Sequence, residues 1–369
     1  MAKLGDVCKK ATSNIAQKDL EGHHGNYPIY GASGFISNVD FYQQENPYIA
    51  IVKDGAGIGR VMKLPAKSSV IGTMQYIIPN DTVDIDYLAY AMEHMNLSKY
   101  FTGATIPHIY FKDYRKEELP LPPLYEQRKI AAVLDKVSDL IAKRRQQLDK
   151  LDELVKSRFI EMFGDPMTNP YNLPKVILGS VLTIEPQNGL YKPQSDYVSD
   201  GTGVPILRID SFYEGKVSNL SSLKRLICSE IELKRYSLYE NDIVINRVNS
   251  IEYLGKCGLI QGLVENTVFE SNMMRLHVDE HKFHPVYITK LLCSEFIYQQ
   301  ILRRAKKAVN QASINQKDVQ SFVVYMPPIE QQDQFAAFVK QTDKSKLAIQ
   351  KSLEKLEILK KALMQKYFG

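Results

Sequence analysis

The chain contains one sequence unit twice. The segment from 109 to 164 returns 205 residues later without a gap, so that Leu121-Pro-Pro-Leu124 matches Met326-Pro-Pro-Ile329. Upstream the offset shrinks to 174, where Leu4-Gly5 pairs with Leu178-Gly179. A changing offset is expected when a duplicated unit carries insertions in its second copy. The chain is therefore predicted to fold as two similar modules related by a pseudo-two-fold.

A long helix is predicted at the end of each unit, preceded by Pro122-Pro123 and Pro327-Pro328. Apolar residues recur there in steps of four and three, which is the period of a coiled-coil seam. A helix of about 37 residues is roughly 55 Å long, too long to lie on a small domain. The two seams are therefore predicted to pack together as an antiparallel pair, with a helix-exchanged dimer as the alternative. The predicted seam consists of Ile130, Leu134, Val137, Ile141, Leu148, Leu151 and Val155, and of Phe335, Val339, Ile349, Leu353, Leu356 and Leu363.

The front part of each unit mixes short apolar strands with one helical stretch. This mixture predicts an α+β fold with two small mixed α/β domains separated by two long helices. The predicted segments are a first domain at 1–122, a helix at 123–165, a second domain at 166–327 and a helix at 328–369. The predicted strands are Tyr48–Val52, Arg60–Leu64, Gln75–Ile78, Pro205–Ile209, Asp242–Asn246 and Met274–Val278, and the helical stretches are Asp86–Phe101 and Pro285–Ala305.

Composition narrows the class of protein. The four cysteines lie far apart without a C-x-x-C pair, which argues against a zinc site or a disulfide scaffold and fits a reducing cytosol. The N-terminus lacks a signal-peptide pattern, and no apolar run approaches the roughly 18 residues that cross a bilayer. We therefore expect a cytoplasmic protein without a membrane partner. The net charge of +5 permits a polyanionic partner without requiring one.

Motifs of known catalytic chemistry are incomplete. Asn169-Pro-Tyr171 lacks the second proline of an amino-methyltransferase loop, and Gly55-Ala-Gly-Ile-Gly59 lacks the Lys-Ser/Thr of a phosphate-binding loop. The glycine run instead predicts a hairpin, because glycine permits the positive φ of tight turns. Glu232-Leu-Lys234 matches the E-x-K of a nuclease but lacks the preceding Pro-Asp. It is therefore predicted to lie on a solvent-exposed face. The histidines do not have the spacing of metal ligands, so no metal site is predicted. Since the catalytic motifs are incomplete, no catalytic residue is predicted either.

Polar and basic residues recur around the glycine turns and before the long helices. Lys and Arg neutralise phosphates, while Asn, Gln and Arg contact base edges, so this recurrence favours DNA binding. The candidates in the first copy are Lys53, Arg60, Lys63, Thr73, Gln75, Tyr76, Thr105, His108, Tyr110 and Lys112. The candidates in the second copy are Arg208, Arg247, Asn249, Lys256, Asn272, Arg303, Arg304, Asn310, Gln311, Ser313, Asn315 and Lys317.

The segment before each long helix follows one motif. It is Ile109-x-x-Lys112-Asp113…Leu121-Pro-Pro-Leu-x-Glu126-Gln127-x-x-Ile130-Ala in the first copy. The second copy has Gln331 in place of the glutamate and Phe335 in place of the isoleucine. Together with the Leu-Gly starts of both copies, this motif resembles the specificity (S) subunits of bacterial type I restriction–modification enzymes.

The resemblance implies a non-catalytic targeting subunit. Its two front parts would be target-recognition domains that read different halves of a bipartite, asymmetric target in double-stranded DNA. The paired helices would set the distance between the two half-sites and would bind two methyltransferase (M) subunits. The resemblance leaves open whether the complex also contains restriction (R) subunits. S-adenosylmethionine and ATP/Mg are expected on the partner subunits and not on this chain. Half-sites read from one side of the duplex should lie roughly 34–36 Å apart.

Two other interpretations remain open from the residues themselves. A coiled-coil adaptor whose front domains bind protein would show no salt-sensitive affinity for DNA. An enzyme with an unrecognised site would methylate DNA by itself when supplied with S-adenosylmethionine.

Overall fold

The computed structural model describes residues 1–103, 107–213, 215–217 and 220–369. The chain divides into two compact units. The first contains Met1–Leu148 and Ala348–Gly369, and the second contains Asp149–Leu347. Each unit thus combines one front part with a portion of both long helices. This division cuts across the four segments that the sequence predicts, because the long helices contribute to both units.

The two long helices, Leu124–Phe163 and Ile329–Phe368, have 40 residues each and begin directly after the Pro-Pro pairs. Each unit pairs them in an antiparallel way. In the first unit Leu134 shares a core with Met364, and Arg145 Nη2 lies 2.7 Å from Glu357 Oε1. Residue numbers therefore rise along one helix as they fall along the other, as predicted.

The second unit pairs its portions of the helices in the same sense. Asp152 forms an ion pair with Lys346, and the rings of Phe159 and Phe335 lie 5.4 Å apart. All predicted seam residues, in both units, are buried or half-buried. The sequence analysis did not extend the apolar contact to Phe163 and Phe368, which are also buried. Residue 342, at a seam position, is a buried threonine.

The front part of the first unit is built on a four-stranded antiparallel sheet. Its strands lie in the order Cys8–Thr12, Met74–Pro79, Tyr48–Val52 and Val61–Leu64. Ile49 and Ile51 face the helix Ile85–His94, while Tyr48 and Ala50 face a second core. Because both faces are covered, strand 48–52 is apolar throughout and fully buried.

Smaller elements complete this front part. A three-stranded sheet has the order Gly34–Val39, Tyr27–Gly31, Ser69–Val70, and Ala2–Lys3 pairs with Glu118–Leu119. The remaining helical elements are Leu4–Val7, Phe111–Tyr114 and the 3-10 turns Gln17–Leu20 and Leu97–Tyr100.

The front part of the second unit has a larger set of sheets. A six-stranded sheet has the order Gln187–Asn188, Met273–Leu276, Ile243–Asn246, Cys257–Leu259, Gly215–Val217, Phe212–Tyr213. A four-stranded sheet has the order Tyr197–Val198, Lys224–Leu226, Val204–Leu207, Val268–Phe269. A three-stranded sheet has the order Val248–Asn249, Ala312–Ser313, Lys306–Lys307. A two-stranded sheet pairs Lys175–Ile177 with Val323–Tyr325. Three strands of the four-stranded sheet lie between residues 178 and 243. The offset between the copies grows in this region, which predicts an insertion in the second copy.

Helices cover the second front part as they cover the first. The predicted helical stretch 285–305 is two helices, Pro285–Leu292 and Glu295–Arg304, separated at Cys293 and Ser294. The other helical elements are Glu230–Tyr236, Gln316–Gln320 and the 3-10 turns Leu178–Val181, Gln194–Asp196, Leu220–Ser222 and Ile251–Tyr253.

A buried glutamine explains the repeated Pro-Pro-x-x-Glu/Gln-Gln motif. Gln127 Oε1 accepts from the Asp84 amide at 2.8 Å, and its Nε2 donates to the carbonyls of Thr82 (3.1 Å) and Pro122 (2.8 Å). Gln332 makes the same three bonds with the main chain of His284 (2.9 Å), Lys282 (3.0 Å) and Pro327 (2.8 Å). A buried amide with every polar atom bonded stabilises the attachment of each long helix to its front domain.

Candidate nucleic-acid interface

Main-chain hydrogen bonds bring three segments of the first copy together. The Lys53 amide donates to the Thr73 carbonyl at 3.0 Å, and the Ile109 amide donates to the Lys53 carbonyl at 3.0 Å. The Gly55 amide donates to the Pro107 carbonyl, also at 3.0 Å. The end of strand 48–52, the turn before strand 74–79 and the segment before helix 111–114 therefore meet at one edge. Most of the predicted first-copy residues lie here.

The predicted glycine hairpin is confirmed at this edge. Val52 exchanges main-chain bonds with Gly59 (2.8 Å) and Arg60 (3.0 Å), which closes the loop. Gly59 has φ +81°, and a Cβ there would lie 2.6 Å from the Ser98 amide nitrogen. Only glycine fits such a position. The turn fixes the backbone of the exposed Arg60, whose Nη1 donates to the Ala32 carbonyl at 2.9 Å.

The second copy repeats this bonding pattern with different residues. The Arg247 amide donates to the Asn272 carbonyl at 2.8 Å, and the Ile314 amide donates to the Arg247 carbonyl at 3.0 Å. Asn246 exchanges bonds with Gly255 and Lys256, both at 2.9 Å. These bonds make three pairs of positions equivalent, the offset of 205 residues adds a fourth pair, and we call all four the framework positions. They are Lys53 and Arg247, Arg60 and Lys256, Thr73 and Asn272, and Lys112 and Lys317.

A chain of side-chain contacts links the framework lysines of the first copy. Asp54 is hydrogen-bonded to Nδ1 of His108 and lies 3.7 Å from the Lys53 ammonium. The imidazole of His108 lies 4.1 Å from the ring of Tyr110, and the Lys112 ammonium lies 5.2 Å from the same ring. Burial of the imidazole, followed by the Lys53 charge, lowers the pKa of His108. Asp54 is absent from the sequence-based set, although its position beside the glycine run was a usable signal.

The second copy has other side chains at the corresponding places. Val248 pairs with Ser313 where Asp54 bridges His108 in the first copy. Asn315 corresponds to Tyr110 and caps helix 316–320, with its Oδ1 accepting from the Asp318 amide at 3.0 Å.

A hairpin over residues 306–313 projects from the second copy. Its tip carries the exposed Asn310 and Gln311 beside Val309, whose surface is 98% exposed. Arg303 is exposed at the end of the preceding helix. Asn249, Lys256 and Ser313 are partly buried near the base of this hairpin, where the Lys256 ammonium lies 3.9 Å from the centre of the Tyr253 ring.

Several predicted residues lie elsewhere in the fold. Gln75 and Tyr76 are buried in the central strand 74–79, with the Tyr114 hydroxyl donating to Gln75 at 2.8 Å and Tyr76 donating to Gln43 at 2.7 Å. A direct contact with DNA does not fit their burial. Lys63 forms an ion pair with Asp86 on the helix-covered face of the sheet. Thr105 lies outside the described residues.

Two arginines of the second copy are held by the protein itself. Arg304 donates from Nε to the Ser321 hydroxyl at 2.9 Å and from Nη1 to the Gln300 carbonyl at 3.0 Å. Arg208 lies 3.8 Å from the Glu270 carboxylate beyond strand 204–207. Both guanidinium groups therefore stabilise local structure.

The residues considered for other chemistry have structural partners. His277 Nδ1 lies 2.8 Å from Asp242, and His284 Nδ1 accepts from the Val286 amide at 3.1 Å as a helix cap. Glu232 completes a capping box with Ser229, and bonds from Ser229 and from Lys192 lower its pKa to about 2. Among the described residues, no three His, Cys, Asp or Glu side chains are grouped as metal ligands. Likewise, no described helix is long and apolar enough to cross a membrane.

Comparison with known proteins identifies the family. The family model described as the type I restriction modification DNA specificity domain matches residues 1–153 and 172–360. These ranges cover most of the chain and both copies of the repeat. The chain therefore belongs to the family of type I restriction modification DNA specificity domains.

Curated relatives carry matching names. The type I restriction enzyme EcoKI specificity subunit of Escherichia coli (strain K12) is 27% identical over 290 residues, covering 74% of this chain and 61% of the relative. The MjaVIII specificity subunit of Methanocaldococcus jannaschii is 25% identical over 399 residues, covering 99% of this chain and 90% of the relative. The chain thus spans less than two thirds of the EcoKI subunit and nearly all of the MjaVIII subunit.

Solved structures share the fold. The S subunit of a type I restriction–modification system from M. genitalium superposes with a TM-score of 0.64 at 14% identity, covering 100% of this chain and 95% of that subunit. The predicted fold class is therefore confirmed.

Proposed function

We propose that this chain is the sequence-specific DNA-recognition subunit of a type I restriction–modification complex in the bacterial cytoplasm. The observation that carries the proposal is the repeated framework. Both copies carry a cation at three equivalent positions: Lys53 and Arg247, and Arg60 and Lys256, which shared main-chain bonds relate, and Lys112 and Lys317, which the offset of 205 residues relates. Cations at fixed places on a rigid edge neutralise backbone phosphates of DNA.

Each copy then binds one half of a bipartite target. The side chains between the framework positions differ between the copies, so the two half-sites differ and the target is asymmetric. The long helices set the distance between the half-sites, and the base pairs between them are not read. This chain supplies recognition, and it supplies no catalytic group to the reaction.

Exposed apolar residues on the long helices support the docking of partner subunits. Side chains that face away from the seam carry this surface, and each is at least 40% exposed: Val133, Leu140, Leu154, Ile160, Leu347, Ile358 and Leu359. Contiguous exposed apolar surface marks protein interfaces. We assign two methyltransferase subunits to the long helices. S-adenosylmethionine and ATP/Mg bind to those partners, and the methyltransferase flips the target adenine out of the duplex.

The test is co-expression with a methyltransferase of the N-P-P-F type encoded next to this gene, followed by methylome sequencing. We expect methylated adenines in one bipartite, asymmetric motif that requires both proteins. Methylation by this chain alone would favour the enzyme alternative. A lack of any motif with both proteins present would contradict the proposal.

DNA binding separates the proposal from the protein-binding adaptor. Replacing Lys53, Arg60 and Lys112 together by Gln should weaken binding of the complex to its methylated motif by about 100-fold at physiological salt, since each phosphate contact contributes to affinity. The matched control is Lys18→Gln, an exposed lysine away from this edge, which should leave binding unchanged. Equal affinity of the triple variant and the control would contradict a role in DNA binding.

A further inference from the structure

The two copies agree in main-chain geometry and differ in many side chains, three of which are connected to one another in the first copy. Asp54 and Val248 occupy one place, since each pairs across to the segment before the following helix. His108 and Ser313 are their partners in that pairing. Tyr110 and Asn315 follow two residues later, and each precedes a short helix that carries a framework lysine.

The three first-copy side chains form one connected group. The carboxylate of Asp54 lies between the Lys53 ammonium and the imidazole Nδ1 of His108. The Tyr110 ring packs against the imidazole and is 47% exposed, so it covers one side of His108 at the surface. Packing on one side and a hydrogen bond on the other hold the imidazole in one orientation. A held side chain loses little entropy on binding.

We propose that His108, positioned by Asp54, and Tyr110 read bases of the first half-site, whereas Lys53, Arg60 and Lys112 contact only the DNA backbone. This inference rests on the proposed function, because it assigns base recognition within that site. Side chains that read different bases in the two half-sites must lie at positions where the two copies carry different residues. Positions that contact phosphate carry no sequence information and stay cationic in both copies.

The hydrogen bond to Asp54 defines which chemistry His108 offers to a base. An ionised carboxylate only accepts, so the proton of the imidazole lies on Nδ1, facing Asp54. Nε2 of the neutral ring is then an acceptor. Burial and the Lys53 charge favour this neutral ring by lowering the pKa of His108. The carboxylate of Asp54 favours a protonated ring, but the nearby Lys53 ammonium partly offsets its negative charge.

An acceptor in the major groove contacts an exocyclic amino group, which is N6 of adenine or N4 of cytosine. We therefore assign His108 to an A or a C in the first half-site. Asp54 is a positioning residue that fixes the tautomer, and Tyr110 restrains the ring and contacts the neighbouring base.

The test gives the first copy the side chains of the second. The variant Asp54→Val/His108→Ser/Tyr110→Asn is co-expressed with the methyltransferase and its methylome is sequenced. We expect relaxed or altered bases in the first half of the motif, with the second half and the spacing unchanged. The matched control is Lys18→Gln, an exposed lysine away from this edge, which should keep the wild-type motif.

An unchanged first half in the triple variant would overturn the inference. A wild-type complex that methylates no bipartite motif would instead refute the proposed function, so the two failures are distinct. If the triple variant abolishes methylation, His108→Ser in the purified complex decides the matter with a panel of single-base duplexes. We expect about a tenfold loss of discrimination at one base pair. An equal loss of affinity for every duplex would overturn the assignment.

Discussion

The two copies of the repeat share a scaffold and differ in the side chains that it presents. In both, a buried glutamine fixes the long helix, and a cation occupies each of three equivalent positions. The first copy then carries Asp54, His108 and Tyr110, where the second carries Val248, Ser313 and Asn315 and adds an exposed hairpin. Under the proposed function, attachment, backbone contact and base recognition are assigned to separate sets of residues.

The shared bonds extend to the start of each unit. The Leu4 amide donates to the Glu117 carbonyl and the Leu178 amide donates to the Phe322 carbonyl, both at 2.8 Å. The Tyr87 and Tyr287 hydroxyls donate to main-chain carbonyls that are 205 residues apart, those of Pro120 and Tyr325. The repeated residues thus maintain the main chain, which is why they recur although the domains have diverged.

Exchange of a whole front part should have the largest effect on the target. Replacing residues 1–122 by the corresponding domain of another specificity subunit should change one half of the methylated sequence completely, because each domain reads its own half-site. Methylome sequencing of the complex measures this. Changes in both halves would break the comparison, since they would show that the copies do not act independently.

The long helices offer the second test, in which both recognition domains stay intact. Inserting one heptad in each helix adds about 10 Å to each and keeps the seam in register. We expect the same two half-sites with more unread base pairs between them, as measured by methylome sequencing. Insertion in one helix only is the control, and it should abolish methylation because the seams no longer match. An unchanged spacing after the double insertion would remove the role of the helices as a ruler.

The buried glutamines test whether the copies are equivalent in stability. Gln127→Ala and Gln332→Ala should each lower the free energy of unfolding by about 3 kcal/mol, because each leaves buried main-chain groups without a partner. Urea unfolding measures the loss. Gln146→Ala, on the exposed face of the first long helix, should change stability by less than about 0.5 kcal/mol. A large loss for one glutamine and none for the other would contradict the shared scaffold.

The long helices and the glycine hairpin could be predicted from sequence because their signals are local. A seven-residue apolar period needs only the helix itself to be recognised, and the seam residues are buried or half-buried as predicted. The hairpin at Gly55–Gly59 follows from the φ values that only glycine adopts readily. The division into units could not be predicted, because it depends on which portions of each helix pack with which front part.

The candidate interface was predicted less completely because polarity alone does not locate a side chain. Gln75 and Tyr76 are polar but lie in a central strand whose two faces are covered, with their polar atoms bonded inside the protein. Lys63 pairs across the sheet with Ile49, so strand alternation places it on the helix-covered face. Asp54 was overlooked since a carboxylate is not expected beside DNA until its pairing with Lys53 and His108 is seen.

Single framework lysines should have the smallest effect, and they sharpen the comparison because both copies carry one at the same place. Lys112→Ala and Lys317→Ala should each weaken binding to the methylated motif by less than about tenfold and reduce the slope of log affinity against log salt by about 0.9, as expected for one phosphate contact. Fluorescence titrations at several salt concentrations measure both quantities. The recognised sequence should stay the same, since a contact with phosphate does not discriminate between bases. A changed base preference in either variant would instead place that lysine in the base-reading set, and a change in only one of the two would show that the copies use their common scaffold differently.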